Sequence, residues 1–202
     1  MTSHQEVIQA GAGDAGTLSQ VIAEAFVDLP PARWLIPDPP ARRRVFPGYF
    51  RLLVEHALAH GVASTVPART AVALWLPVGQ DGPGQPGGYP AALAAATGPW
   101  SRRFEAFDAE LDRHHPTGAA HQYLAVLAVC PQHQGQGTGA ALLRAHHTHL
   151  DQAGAPAYLE AASPRNRALY QRHGYTLRPG APFHLPDHGP AMWPMWRAPG
   201  TT

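Results

Sequence analysis

The residues best suited to chemistry in this chain fall between positions 130 and 175. Residues 134–139 read Gln134, Gly135, Gln136, Gly137, Thr138, Gly139 and lie directly before a helical pattern. Glycine lets the backbone turn tightly and approach a ligand closely. Several N–H groups can then converge at the positive end of a helix, a ready site for an anion such as a pyrophosphate. Further along, Asn166 and Tyr170 are four apart and share one face of a helix. An amide there can hydrogen-bond the arm of a ligand, and a phenol can give a proton to a departing thiolate.

Three ligands compete for the loop. A P-loop requires Gly-Lys-Ser/Thr, and the chain has no lysine: all fifteen basic residues are arginine. A dinucleotide fold fits better, because Gly135, Gly137 and Gly139 are spaced like its glycines and Glu160 stands about 20 residues on. Against it, residues 130–134 separate the strand from the first glycine, where that fold turns at once, and too little chain follows for a doubly wound sheet. Coenzyme A is the third candidate.

The elements that must position these residues are legible around them. Residues 123–129 form an unbroken apolar run of a length and β-branched content that suit a buried strand, stopped by Pro131. A helix is expected over 137–153, closed by Gly154, then a strand over 157–161. Ser163 caps a helix that opens with Pro164 and ends at Gly174. Residues 175–178 and 192–197 read as closing strands. This order is an α/β unit.

The N-terminal part predicts a short strand over 7–10 and a helix from Asp14 to about Val27, with Asp14 as its cap. A Pro-rich stretch over 30–40 should be irregular, and a second helix over 41–60 should kink or split at Pro47 and Gly48. Strands are expected over 62–66 and 70–76, joined as a hairpin across 67–69. Residues 78–88 are dense in Gly and Pro and read as a loop, either a surface excursion or a lid. Helical patterns follow around 90–96 and 100–114. No repeat and no domain boundary is visible, so one domain over 1–202 is expected.

Composition sets the outer bounds. The chain has 202 residues, 45% hydrophobic and only 14% charged, with a formal net charge of +1. That argues against a nucleic-acid partner, which normally needs a clustered basic face. Cys130 is the only cysteine, so neither a disulfide within the chain nor a cysteine-based zinc site is expected. No run reaches the roughly 18–20 apolar residues of a membrane span, and 1–16 lacks the pattern of a secretory signal. A cytoplasmic protein without a membrane partner is expected, monomeric or homodimeric. His146, His147 and His149 share a helix without a further ligand at matching spacing, so they are read as solvated surface rather than a metal site, as are His114 and His115.

Two blocks carry a resemblance. The run Leu124-Ala-Val-Leu-Ala-Val-Cys-Pro-Gln-His-Gln-Gly-Gln-Gly-Thr-Gly-Ala-Ala-Leu-Leu143 resembles the signature of the GNAT superfamily of N-acetyltransferases: a hydrophobic strand, a proline, then Gln/Arg-x-x-Gly-x-Gly/Ala opening a helix. The run from Tyr158 to Tyr175, with Ser163-Pro-Arg-Asn166, resembles that superfamily's next block. Within it, 123–175 is most similar to the puromycin N-acetyltransferases, with weaker similarity around 25–28 and 71–75.

The resemblance implies a central mixed, splayed β-sheet flanked by helices in one α/β (α+β) domain. It implies acetyl-CoA as acetyl donor and a primary amine of a small molecule, such as an antibiotic or aminonucleoside, as acceptor. By the same resemblance, the backbone of Leu127 and Val129 would pair with the pantetheine amides, and the main chain near Val129 would polarise the thioester carbonyl. Gln134, Gly135, Gln136, Gly137, Thr138, Gly139 and Ala140 would hold the pyrophosphate, Asn166 the coenzyme arm, and Tyr170 would protonate the leaving sulfur. The acceptor pocket would draw on 28–34, Trp34 above all, and on Trp75. Relatives place a carboxylate base on the strand 123–129, which here has none, leaving Glu160, His121 or water. Two alternatives keep the fold: a different donor (a longer acyl-CoA or an aminoacyl-tRNA), or an acyl-CoA-binding regulator without activity.

Overall fold

The computed structural model describes residues 5–82 and 87–200. One sheet organises the chain. Its strands are β1 (Ile8–Gln9), β2 (Val62–Thr65), β3 (Ala71–Val78), β4 (His121–Val129), β5 (Ala157–Ala161), β6 (Thr176–Leu177), β7 (Phe183–His184) and β8 (Ala191–Arg197). Their order is β1-β2-β3-β4-β5-β8-β6, with β7 also paired to β8. All pairings are antiparallel except β4 with β5. The helices are α1 (Ala15–Phe26), α2 (Pro30–Leu35), α3 (Pro39–His60), α4 (Tyr89–Thr97), α5 (Ser101–His114), α6 (Thr138–Gln152) and α7 (Pro164–Arg172).

Two cores cover the two faces of this sheet. On one face α1, α3 and α5 pack Leu18, Ile22, Phe46, Phe50, Val54 and Phe104 against Val72, Leu74, Val126 and Ala128. On the other α6 and α7 pack Leu142, Leu143 and Tyr170 against Ala73, Trp75, Leu124 and Leu159. The aromatic residues of α3 meet edge-on, Phe46 with Phe50 at 5.4 Å and Phe46 with Phe104 of α5 at 6.4 Å, an arrangement that suits ring quadrupoles.

The last third of the sequence reads through to structure almost directly. Ser163 Oγ accepts from Asn166 N–H at 3.1 Å, so it caps α7, and Pro164 occupies the first turn. Gly154 closes α6 at φ 63°, a backbone region that favours glycine.

Elsewhere local rules lose to context. Residues 30–40 are not irregular: Pro30 and Pro31 start α2, and Pro39 and Pro40 start α3, because proline at a helix start lacks only an N–H that would be unbonded anyway. Asp38, not a residue of the predicted helix, caps α3 by accepting from Ala41 N–H at 2.9 Å. Helix α3 stays continuous through Pro47. Asp14 stands at the N-cap position of α1 as expected, but its side chain makes no capping bond there; its carboxylate accepts from Gly11 N–H at 2.9 Å and from Arg69 at 3.0 Å, tying the 3-10 turn before α1 to the β2–β3 hairpin. Strand β7 gave no periodic signal, being two residues long. Of the Gly/Pro-rich loop over 78–88, residues 83–86 lie outside the described residues, while Val78 belongs to β3.

Candidate active site

The site begins where β4 and β5 part. They pair only at Gln122↔Ala157 and Tyr123↔Tyr158, and β5 then continues on β8. Beyond Tyr123, β4 is paired on its β3 side alone. The register against β3 shifts between Leu74 and Trp75, which face Val126 and Leu124, so Ala125 is the extra residue of a bulge. Cys130 N–H donates to Thr70 O at 2.8 Å on the β3 side. By alternation, the main-chain groups of Val129 and Leu127 turn the other way, into the gap between β4 and β5. The Val129 carbonyl is met there by the side-chain amide of Gln134, which donates to it at 3.0 Å.

The loop before α6 closes one end of this gap. Gly135 and Gly137 hold φ of 78° and 84°, a region that bulkier residues enter only with strain. The first N–H groups of α6 have no carbonyl of their own helix to meet. A Cβ on Gly139 would touch Val129 Cγ2 at 3.6 Å and Leu127 Cδ2 at 3.8 Å, so the start of α6 lies directly on β4. The resulting groove of about 460 Å³ is lined by Leu127, Val129, Gln134, Gly135, Gly137, Thr138, Gly139, Ala140, Asn166 and Tyr170.

Residues 106–177 match the family model described as acetyltransferase (GNAT) domain. The chain has the GNAT fold. It superposes on a Corynebacterium glutamicum structure described as histone acetyltransferase HPA2 and related acetyltransferase, with a TM-score of 0.73, 24% identity and 98% of each chain covered. A GCN5-related N-acetyltransferase from Rhodopseudomonas palustris gives 0.60 at 12% identity, again over 98% of each chain. A PaiA N-acetyltransferase from Thermoplasma acidophilum, in complex with coenzyme A, gives 0.57 at 10% identity over 96% of this chain and 98% of that one.

On this GNAT frame most of the site residues expected from sequence come together, and three details differ. Gln136 is absent from the groove wall, and its side chain donates to Gln132 O at 3.4 Å. The Thr138 hydroxyl donates to Gln5 Oε1 at 2.9 Å. Gln134 is occupied with the Val129 carbonyl. The sequence reading also missed wall residues: Arg165 and Arg172 give the groove a cationic rim, and His133 and His173 line it beside them. Arg165 and Arg172 flank Asn166 and Tyr170 on α7, and their basic charge beside that face was the signal available. Tyr170 is 7% exposed, and burial pushes its phenol well above the usual range, so it holds its proton at neutral pH.

A second cavity, of about 490 Å³, opens on the other side of β4. Phe26 and Leu29 line both, and the floor passes from Tyr123, Ala125 and Val126 in the cavity to Leu127, Ala128 and Val129 in the groove. Trp34 and Trp75 are not in its wall. Trp34 is tied to Pro186 O at 3.1 Å under Arg103, and Trp75 is fully buried on the α6 face, stacked on His146 at 4.2 Å. Leu29, Pro31 and Ala32 are what the 28–34 stretch contributes.

The two candidate bases separate clearly. Glu160 lines the cavity, its side chain 3% exposed, and accepts from Tyr123 Oη at 2.9 Å. Burial raises its carboxyl to about 7. His121 lies behind the wall, sharing a proton with His115 at 2.9 Å. His115, His146 and His147 are buried rather than solvated, and burial lowers them to about 3, 4 and 3. His114 likewise stacks on Phe183 at 3.9 Å. Burial raises the Cys130 thiol, which weakens it as a nucleophile.

One consequence concerns the loop. In Gly137→Val the side chain would enter a left-handed backbone position and fill the space above the N–H cradle. Coenzyme affinity is expected to fall at least tenfold in a calorimetric titration, while far-UV dichroism stays that of the wild type. Unchanged affinity would remove the loop from the phosphate site.

Proposed function

We propose that this protein is an acetyl-CoA-dependent N-acetyltransferase that acts on a primary amine of a small molecule. The observation that carries the reading is the meeting, across one bulged strand, of a cation-rimmed groove with main-chain groups turned into the β4–β5 gap and an apolar cavity holding a buried carboxylate. Gly135 to Ala140 would cradle the pyrophosphate with main-chain donors, Arg165 and Arg172 would answer its charge, and Leu127 and Val129 would hold the pantetheine amides. Acetyl-CoA, when bound, supplies an activated acetyl group.

The remaining steps belong to the chain. The N–H groups turned into the β4–β5 gap stabilise negative charge developing on a carbonyl oxygen placed there. Glu160, with its carboxyl near neutral pH, takes a proton from the acceptor ammonium, directly or through one water. Tyr170, protonated at neutral pH as a phenol, gives its proton to the leaving sulfur. Asn166 orients the coenzyme arm from the same helix face. An antibiotic or aminonucleoside amine belongs among the first acceptors to screen.

The test has two arms. Melting with coenzyme A at 100 times its dissociation constant should show about 2.7 kcal/mol of added stability. A panel of amines with acetyl-CoA should then release free thiol. Stabilisation without thiol release for any amine would favour a binding-only regulator or a longer acyl donor. Stabilisation by a nicotinamide dinucleotide but not by coenzyme A would overturn the reading.

A further inference from the structure

The acceptor cavity has a chemistry of its own that narrows what it can take. Its wall is mainly apolar, built from Phe26, Leu29, Phe46, Tyr49, Phe50 and Leu53, with Leu76 and Met192 at the floor. Besides Glu55, three carboxylates interrupt it: Asp108 and Asp112, one turn apart on α5, and Glu160 on β5; Asp108 accepts from Tyr89 Oη at 2.9 Å. Asp112 is close enough to both of the others to raise the proton affinity of each. Glu55 also lines the cavity but is engaged by Arg51 at 2.7 Å.

No arginine stands among the described residues of this wall, and of its three histidines His115 is held neutral by burial. The coenzyme groove shows the reverse pattern, with arginines and histidines at the rim and no carboxylate among the described residues of its wall.

One atom points to a ligand directly. Glu160 Oε2 accepts from Tyr123 and the Tyr158 hydroxyl also lies close enough to the carboxylate to lower its proton affinity, while Oε1 is buried with no hydrogen-bond partner and the side chain is 3% exposed. His115 Nδ1 is 3.9 Å from it, too far for a hydrogen bond. A buried acceptor left without a donor is costly, and carboxylate oxygens especially so. An ammonium in the cavity would supply the missing donor and the missing charge together.

We propose that the acceptor is a lipophilic organic cation, with its ammonium seated on Glu160 beside Asp112 and Asp108 and an aryl or alkyl body in the aromatic box of Phe26, Tyr49 and Phe50. A polyhydroxylated amine or a peptide lysine brings polar groups that this box cannot satisfy. A slender polyamine has charge but lacks the body that fills about 490 Å³. The inference rests on the acetyl-transfer reading only for the fate of the cation, because its binding requires no acyl donor.

The experiment is calorimetric titration of the whole chain, without any acyl-CoA, with three probes: 4-phenylbutylamine, the neutral 4-phenylbutanol, and 1,4-diaminobutane. The amine is expected to bind at least tenfold more tightly than either of the others. In Glu160→Gln that preference over the alcohol should shrink about tenfold, with alcohol binding unchanged. Melting of the variant checks its fold, and Asp112→Asn on the exposed side of the same wall provides the same comparison if Glu160→Gln does not fold. The proposal is overturned if the alcohol binds as tightly as the amine, or if 1,4-diaminobutane binds more tightly than the amine. Amine binding without stabilisation by coenzyme A would leave this site standing and sink the acetyltransferase reading; the converse result would do the opposite.

Discussion

Tyr170→Phe should lower kcat by about 10²–10⁴-fold while leaving coenzyme affinity nearly unchanged. A thiol of ordinary pKa about 8.5 leaves as thiolate unless a donor meets it. Tyr170 lines the groove and, as a phenol, carries its proton at neutral pH. Its ring is part of the second core and touches Tyr175 at 5.8 Å, so phenylalanine keeps the packing and removes only the hydroxyl. A general acid is worth about 3–5 kcal/mol at about 1.36 kcal/mol per decade. The loss should shrink for a thioester whose thiol is more acidic, since that group needs less help to leave. A variant with wild-type kcat, under conditions where chemistry limits the rate, would reduce Tyr170 to a core residue.

The second large effect is on stability in acid. His115, His146 and His147 are buried, and burial lowers them from 6.5 to about 3, 4 and 3. The unfolded chain therefore binds more protons than the folded one between those limits, and stability is lost as pH falls through that window. At about pH 4 each histidine contributes a loss on the order of 3 kcal/mol.

Glu160 and Asp108 act in the opposite sense. Burial raises them to about 7 and about 6, so each is destabilising near neutrality and relieves on the order of 2–3 kcal/mol as pH falls. The balance is a net loss of several kcal/mol, a large part of the stability of an ordinary domain. Cooperative unfolding is expected between pH 6.5 and 3, followed by dichroism. His146→Phe should move the midpoint to lower pH: a phenyl ring can keep the stack on Trp75, and the buried Nε2 that lacks a partner is gone. An unmoved midpoint would show that His146 does not carry this sensitivity.

The sequence by itself determined the part of the molecule governed by local rules. Glycines at 135, 137 and 139, a proline after a strand, a serine before Pro164 and the four-residue spacing of Asn166 and Tyr170 are short-range constraints. Each fixes a turn, a cap or a helix face without reference to distant chain. That is why the strand, the cradle, α6, β5 and α7 were legible, and why nearly all the expected groove residues line one groove. The helices and strands that build both cores were legible from apolar patterning, with boundaries off by a few residues.

Tertiary structure alone decided the rest. Whether Trp75 faces a ligand or a core depends on what covers β3, and α6 covers it. Whether His146 and His147 are wet depends on the sheet beneath them, which local pattern does not reveal. The carboxylates Asp108, Asp112 and Glu160 of the second cavity come from α5 and β5, just over 50 residues apart at the extremes of 108 and 160. Only the parting of β4 from β5, and the bulge at Ala125 that turns β4 between two faces, brings them to the same wall. Charge at one position is local, but the burial of Glu160 Oε1 without a donor is a property of everything packed around it.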